Sequence, residues 1–166
     1  MTDFYTLTVA DVNKQTDDSV VLQFDIPNDL DEEFRFHPGQ HLTIKATIDD
    51  QELRRCYSIC SSTSDEQIQI GIKAIPDGRF SNFAVEELQV GEQLEVMSPQ
   101  GHFGFVPASG EQKNYLGIAV GSGITPMLSM LKSALALEED STFTLLYGNR
   151  NAHSMIFRNE LLELKN

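Results

Sequence analysis

The chain has 166 residues, 40% of them hydrophobic and 8% aromatic, with 25 acidic residues against 12 lysines and arginines and a net charge of −13. That is enough apolar material for one or two small cores, with no run of eighteen apolar residues to span a membrane, and the acidic balance argues against nucleic acid or anionic membranes as partners. The opening Met1-Thr2-Asp3-Phe4 lacks the basic and apolar stretches of an export signal, so the expected location is the cytoplasm.

The first hundred residues alternate with the period of half-buried strands. Val20, Leu22, Phe24 and Ile26 form one such face, Leu42, Ile44, Ala46 and Ile48 a second, and Ile68, Ile70 and Ile72 a third. Turn residues separate them: Asn28-Asp29, Pro38-Gly39, Asp49-Asp50, Pro76-Asp77-Gly78 and Ser98-Pro99-Gln100-Gly101. The pattern predicts an antiparallel sheet closed into a barrel. One helix interrupts it from Arg79 to Leu88, with Phe80, Phe83, Ala84 and Leu88 at helical spacing and Gly91 as its stop.

After Ala108-Ser109-Gly110 the grammar changes. Tyr115 to Val120 is almost continuously apolar, as in a strand covered on both faces, and Gly121-Ser122-Gly123 leads into a predicted helix from Thr125 to Leu137. Phe143 to Tyr147 predicts a second buried strand and Met155 to Leu164 a second helix, with Glu138-Glu139-Asp140 as a solvated helix end. The expected architecture is an antiparallel β-barrel with one helix over residues 1–106. An incomplete α/β nucleotide-binding domain over residues 111–166 follows it.

Four of the twelve cations, Arg54, Arg55, Lys73 and Arg79, fall between positions 54 and 79, where an acidic chain can gather a site for an anionic ligand; solvated strand ends are the alternative. Within that stretch Arg55, Tyr57 and Ser58 supply what a flavin site needs: a cation for the pyrophosphate, a flat surface for the isoalloxazine, and a small hydroxyl near its redox-active nitrogen. Alternation lets Arg55 and Tyr57 share a face. Gly78-Arg79-Phe80-Ser81 opens the predicted helix, where unsatisfied amides suit a diphosphate and Ser81 adds a hydroxyl. Gly121 to Pro126 lets a backbone approach a nucleotide closely, a tight strand–helix turn being the alternative. Arg150, in Tyr147-Gly148-Asn149-Arg150, follows the second α/β strand at the carboxyl edge of the sheet.

Arg55-Cys56-Tyr57-Ser58 followed by Gly78-Arg79-Phe80-Ser81 resembles the flavin signature of the ferredoxin-NADP reductases, Arg-x-Tyr-Ser and then Gly-x-x-Ser. Gly121-Ser122-Gly123-Ile124-Thr125-Pro126 is similar to the loop by which that family brings nicotinamide towards the flavin. Within the family the chain resembles the reductases of ring-epoxidising, phenylacetate-degrading systems, through segments that include Phe36 to Leu42, Leu53 to Cys60, Lys73-Ala74-Ile75, Glu95-Val96-Met97 and Pro99 to Gly104. The resemblance implies FAD as cofactor, NAD(P)H as donor, and passage of electrons through an iron–sulfur centre to oxygenase subunits. It implies that Tyr57 covers the flavin ring with Ser58 near its central nitrogen, that Cys56 lies between these and Arg55, and that Arg55 and Ser81 hold phosphates. Lys73, Ala74 and Ile75 would meet the adenosine, with Gly78, Arg79 and Phe80 along the second phosphate motif. Gly121, Ser122, Gly123, Thr125 and Pro126 would meet the nicotinamide nucleotide, and Arg150 a 2′-phosphate of NADPH.

A [2Fe–2S] domain is expected only in the C-terminal part of a full-length relative. Cys56 and Cys60, about 13 Å apart on one extended strand, suit neither a disulfide nor a cluster, and His37 and His41 around Pro38-Gly39 do not make a metal pair, so no metal is expected. A non-catalytic flavin-binding or electron-relay module is the competing class. An incomplete α/β sheet should also leave apolar surface open and favour dimerisation through the C-terminal portion.

Overall fold

The computed structural model describes residues 3–165. Six strands form one antiparallel sheet: β1 (Phe4–Thr16), β2 (Ser19–Asp25), β3 (His41–Ile48), β4 (Gln51–Ser58), β5 (Ile68–Lys73) and β6 (Gln93–Gln100). Their order is β4-β3-β6-β1-β2-β5, and an antiparallel bridge between Ile59 and Ile70 brings the two edge strands together, closing the sheet into a barrel. Helix α1 (Arg79–Glu86) lies between β5 and β6 in the chain and buries Phe80 and Ala84 against the barrel core.

The β3–β4 hairpin shows how local chemistry sets register. Asp49 and Asp50 both have positive φ, 51° and 57°, the conformation of a two-residue turn whose twist matches its strands, and aspartate tolerates it better than most residues. The pairing then runs without a shift from Ile48 opposite Gln51 to His41 opposite Ser58, which puts Arg55 across from Ile44 and Tyr57 across from Leu42. The predicted turn at Ser98-Pro99-Gln100 is instead the end of β6. Pro99 is tolerated there because the pairing with β3 shifts between His41 and Thr43, and the pairing with β1 stops at Met97.

The second unit has β7 (Asn114–Val120) and β8 (Thr142–Gly148) paired in parallel, joined by α2 (Ile124–Leu137) and followed by α3 (Arg158–Glu163). The predicted final helix starts three residues late. Phe157 sits at φ 59° and is buried with Ile156, so these two side chains anchor the turn rather than extend the helix. Only one face of β7 is covered. Leu116, Ile118 and Val120 are 65%, 68% and 74% exposed, and Leu146 of β8 joins them.

Two apolar clusters result, and β2 belongs to both. Val20, Leu22 and Phe24 point into the barrel, while Val21 packs with Cys60, Ala119, Ile124, Leu128, Ile156 and Phe157 of the second cluster. Glu138, expected in solvent, is instead buried. It accepts hydrogen bonds from the Tyr115 hydroxyl (2.9 and 3.1 Å), Ser141 Oγ (2.7 Å) and the Ala108 amide (3.1 Å). Three donors on one carboxylate outweigh its desolvation. They hold its pKa below the ordinary glutamate value, with the Ser141 hydrogen bond the largest cause.

Candidate functional site

A cleft of about 450 Å³ opens where the barrel meets the second unit. One wall is Arg55 to Ser58 of β4, with Gly71 and Lys73 of β5 beside it; Ile75 and Ser81 lie at one end. The opposite wall is Ser122, Gly123, Thr125 and Pro126, the turn into α2. Segments up to 71 residues apart in sequence, anticipated as separate motifs, thus meet in one concavity.

Each wall has a local cause. Tyr57 is half-buried and tilts against Phe80 of α1, with ring centroids 5.7 Å apart at 35°, so the helix fixes the plane of the ring. Burial pushes the Tyr57 phenol up to about 12, the nearby Arg55 charge pulling the other way, and the side chain therefore stays neutral near pH 7. Arg55 is exposed and its Nη1 donates to the Arg54 carbonyl at 2.8 Å. Lys73 is paired with Asp18 at 3.3 Å, which offsets part of its charge. Cys56 is exposed, with Sγ 3.4 Å from Thr43 Oγ1.

At the start of α1, Ser81 Oγ accepts from the Ile75 amide (3.4 Å) and donates to the Gly78 carbonyl (3.3 Å). No side chain caps this helix, so the amides of its first turn have neither an intrahelical acceptor nor a side-chain one. A Cβ on Gly78 would stand 2.3 Å from Ser81 Oγ and 2.5 Å from Ile75 Cγ1, so glycine is what lets the loop fold this tightly over the helix start. Across the cleft, Gly121 takes φ 54°, its carbonyl accepts from the Tyr147 hydroxyl at 3.0 Å, and Thr125 Oγ1 donates to the Ser122 carbonyl at 3.0 Å. These bonds hold the turn in place.

Several anticipated residues lie off the lining. Phe80 is buried behind Tyr57, Gly78 sits behind Ser81, and Arg79 turns away to Gln51 Oε1. The Ala74 amide is committed to the Asp18 carbonyl at 2.7 Å. Gly121 supports the turn from below, and Arg150 is exposed beyond the end of β8, apart from the cleft. Gly71 lines the cleft without having been expected there. A Cβ on it would come within 2.4 Å of Thr125 Cγ2, so this glycine admits the turn into α2 against the barrel. Its signal was present: a glycine inside Ile68-Gln69-Ile70-Gly71-Ile72 marks a close approach to a strand.

The family model described as the oxidoreductase FAD-binding domain matches residues 6–105. The chain belongs to that family. The model of the oxidoreductase NAD-binding domain matches residues 118–166. The E component of the 1,2-phenylacetyl-CoA epoxidase of Escherichia coli K12 is 53% identical over 165 residues, 99% of this chain and 46% of that protein. The ferredoxin reductase component of the 3-ketosteroid-9-alpha-monooxygenase of Mycobacterium tuberculosis is 39% identical over 166 residues, 95% of this chain and 45% of that protein. The chain therefore spans about half the length of the curated relatives it matches. Among solved structures, phthalate dioxygenase reductase superposes with a TM-score of 0.76 at 28% identity, over 95% of this chain and 47% of that one. The flavohem-like FAD/NAD binding domain of nitric oxide dioxygenase from Vibrio cholerae O1 biovar El Tor shares the fold, with a TM-score of 0.82 at 24% identity over 98% of this chain and 69% of that one.

The cleft of this FAD-binding domain suits a flavin dinucleotide on its own geometry. It combines an uncapped helix start, a glycine a methyl would displace, an exposed guanidinium and a fixed aromatic plane. Among the described residues no helix is long and apolar enough to cross a membrane.

Proposed function

We propose that the intact protein is an NAD(P)H-dependent flavoprotein reductase that passes electrons through FAD and an iron–sulfur centre to the oxygenase subunits of a phenylacetate-degrading system. The observation that carries this reading is the convergence of Arg55 to Ser58 and Ser122 to Pro126 on one cleft. Bound FAD would supply the two-electron to one-electron conversion that joins nicotinamide to iron–sulfur chemistry. The protein's part is to bind and to orient. Arg55, Ser81 and the first amides of α1 hold the phosphates, with Gly78, Arg79 and Phe80 shaping that corner. Tyr57, kept neutral, covers the ring, and Ser58 offers a hydroxyl beside its central nitrogen, with Cys56 between. Backbone at Lys73, Ala74 and Ile75 meets the adenosine. The turn from Gly121 through Ser122, Gly123, Thr125 and Pro126 admits the nicotinamide, and Arg150 meets a 2′-phosphate. In this scheme residues 1–106 are the flavin unit and residues 111–166 the nucleotide unit.

Support for the phenylacetate assignment comes from the 53% identity to the epoxidase component of Escherichia coli. An anaerobic absorbance titration tests the whole reading. Flavin bands that bleach on adding NADPH or NADH are the expected result, the stronger donor identifying the nucleotide. Flavin that stays bound and oxidised would make the chain an electron-relay module, and a colourless protein after FAD loading would leave only a structural barrel. The uncovered face of β7 and β8 also supports dimerisation of the chain on its own.

A further inference from the structure

The two walls of the cleft belong to different units, so the gap between them depends on how the units are fastened. One fastening is steric and lies at the cleft itself, where Thr125 Cγ2 fills the space over Gly71. The other is ionic and lies two turns further along α2. Lys132 Nζ is 3.0 Å from Asp65 Oδ2 on the loop after β4 and 2.9 Å from Glu160 Oε1 on α3. Its side chain is only 20% exposed. Asp65 is held in turn by the Ser62 amide, which donates to the same Oδ2 at 2.8 Å. Next to Lys132, Ser133 Oγ accepts from the Thr63 amide at 3.0 Å and lies 3.3 Å from Ser62 Oγ. A single turn of α2 thus gathers the barrel loop and α3.

Both tied segments lead directly into the cleft. The loop leaves β4 at Ser58 and reaches Asp65 through buried Cys60, while α2 begins at the Gly123 to Pro126 wall. We propose that Lys132 is a positioning residue: its paired contacts with Asp65 and Glu160 set the separation between Tyr57-Ser58 and Gly123 to Pro126, and with it the approach of nicotinamide to flavin. This rests on the reductase reading above.

The electrostatics give the contact its leverage. Burial opposes the charge on Lys132, but hydrogen bonds and attraction from Glu160 and Asp65 outweigh it and raise the ammonium above the ordinary lysine range. Removing the ammonium does more than delete two ion pairs. It leaves two carboxylates facing one another across the seam, in a chain whose net charge is −13, and their repulsion pushes the units apart. An exposed surface pair would contribute little; this one joins three elements at a partly buried point.

The test compares the FAD-loaded wild type with Lys132→Met and Lys132→Arg in stopped-flow reduction by NAD(P)H. Amide exchange at Thr63 and FAD affinity are read on the same samples. For Lys132→Met the limiting reduction rate should fall about tenfold or more, because a displacement of about an ångström between reacting groups is that costly. Thr63 should exchange faster, the long-wavelength nicotinamide–flavin absorbance should weaken, and FAD affinity should hold. Lys132→Arg, which keeps the charge, should restore rate and protection. Adding Asp65→Asn and Glu160→Gln to Lys132→Met should recover part of the rate by removing the repulsion. An unchanged rate and unchanged Thr63 exchange in Lys132→Met overturn the proposal, as does a rate loss matched by loss of FAD. A wild type whose bound flavin NAD(P)H never reduces refutes the reductase reading first, and the proposal with it.

Discussion

Replacing Gly78 with alanine tests the corner of the cleft assigned to the flavin phosphates while leaving the core alone. With φ −78° and ψ 101°, the backbone there is one alanine adopts freely, so the change carries no conformational strain. The cost is steric. The new methyl would meet Ser81 Oγ at 2.3 Å, Ile75 Cγ1 at 2.5 Å and the Ile75 carbonyl at 3.0 Å. Ile75 is 59% exposed and can swing away, but Ser81 is buried and its hydroxyl is bonded to both the Ile75 amide and the Gly78 carbonyl. Relief therefore requires Ser81 to rotate or the start of α1 to move, at about 1–3 kcal/mol for an overpacked site. If that distortion falls on the bound state, FAD affinity drops about 5- to 150-fold. FMN, which lacks the diphosphate and adenosine, should lose less. Titration of the apoprotein with each flavin, followed by flavin fluorescence, measures both constants. An FAD affinity within about twofold of wild type, or equal losses for the two flavins, would refute the assignment of this helix start to the diphosphate.

Arg55→Ala should weaken FAD binding about 10- to 150-fold, the loss of a charge-assisted contact of about 1.5–3 kcal/mol, without changing the melting temperature of the apoprotein, because among the described residues the exposed side chain bonds only to its neighbour's carbonyl. A titration showing unchanged affinity removes Arg55 from the site. Glu138, whose folded pKa is depressed, contributes stability that is present above the unfolded glutamate pKa and lost as pH falls through the lower folded value. Melting curves from about pH 7 to about pH 3 should therefore show acid destabilisation that Glu138→Gln flattens while lowering the melting temperature at neutral pH; parallel profiles would contradict this. Ile118→Lys with Leu116→Lys should shift the chain towards monomer in sedimentation velocity, since both side chains are more than half exposed on the open face of β7.

What could be read from the sequence was whatever repeats along one element. Alternation located the barrel strands, and the position of Gly78 before Phe80 and Ala84 located α1 within two residues of its end. The reading failed where a residue answers to a distant partner. Val21 and Gly71 sit on strands whose alternation accounts for the barrel face alone; the glycine marks a close approach there, but nothing nearby announces that α2 is what approaches. Glu138 stands in an acidic triplet that looks solvated until Tyr115 and Ala108 arrive from elsewhere in the chain and Ser141 turns back onto it. Lys132 is equally plain in sequence, because its two carboxylates lie 67 and 28 positions away. In the site, the residue types were legible but the commitments of their backbone groups were not. Arg79 and the Ala74 amide are occupied by Gln51 and Asp18, contacts that only the closed barrel creates.

The double duty of β2 bears on how domains of this family can be recombined. A chimera cut at the linker, here between residues 106 and 111, assumes that each half brings its own interior. Val21, Cys60 and Gly71 break that assumption, because they are the barrel's contribution to an interior that the other half completes. A donor nucleotide unit grafted at that cut would inherit a landing surface shaped for Thr125, Ile156 and Phe157. The productive unit of exchange is therefore the nucleotide unit together with the outward-facing positions of β2 and β5 beneath it, a discontinuous set that no single crossover point delivers.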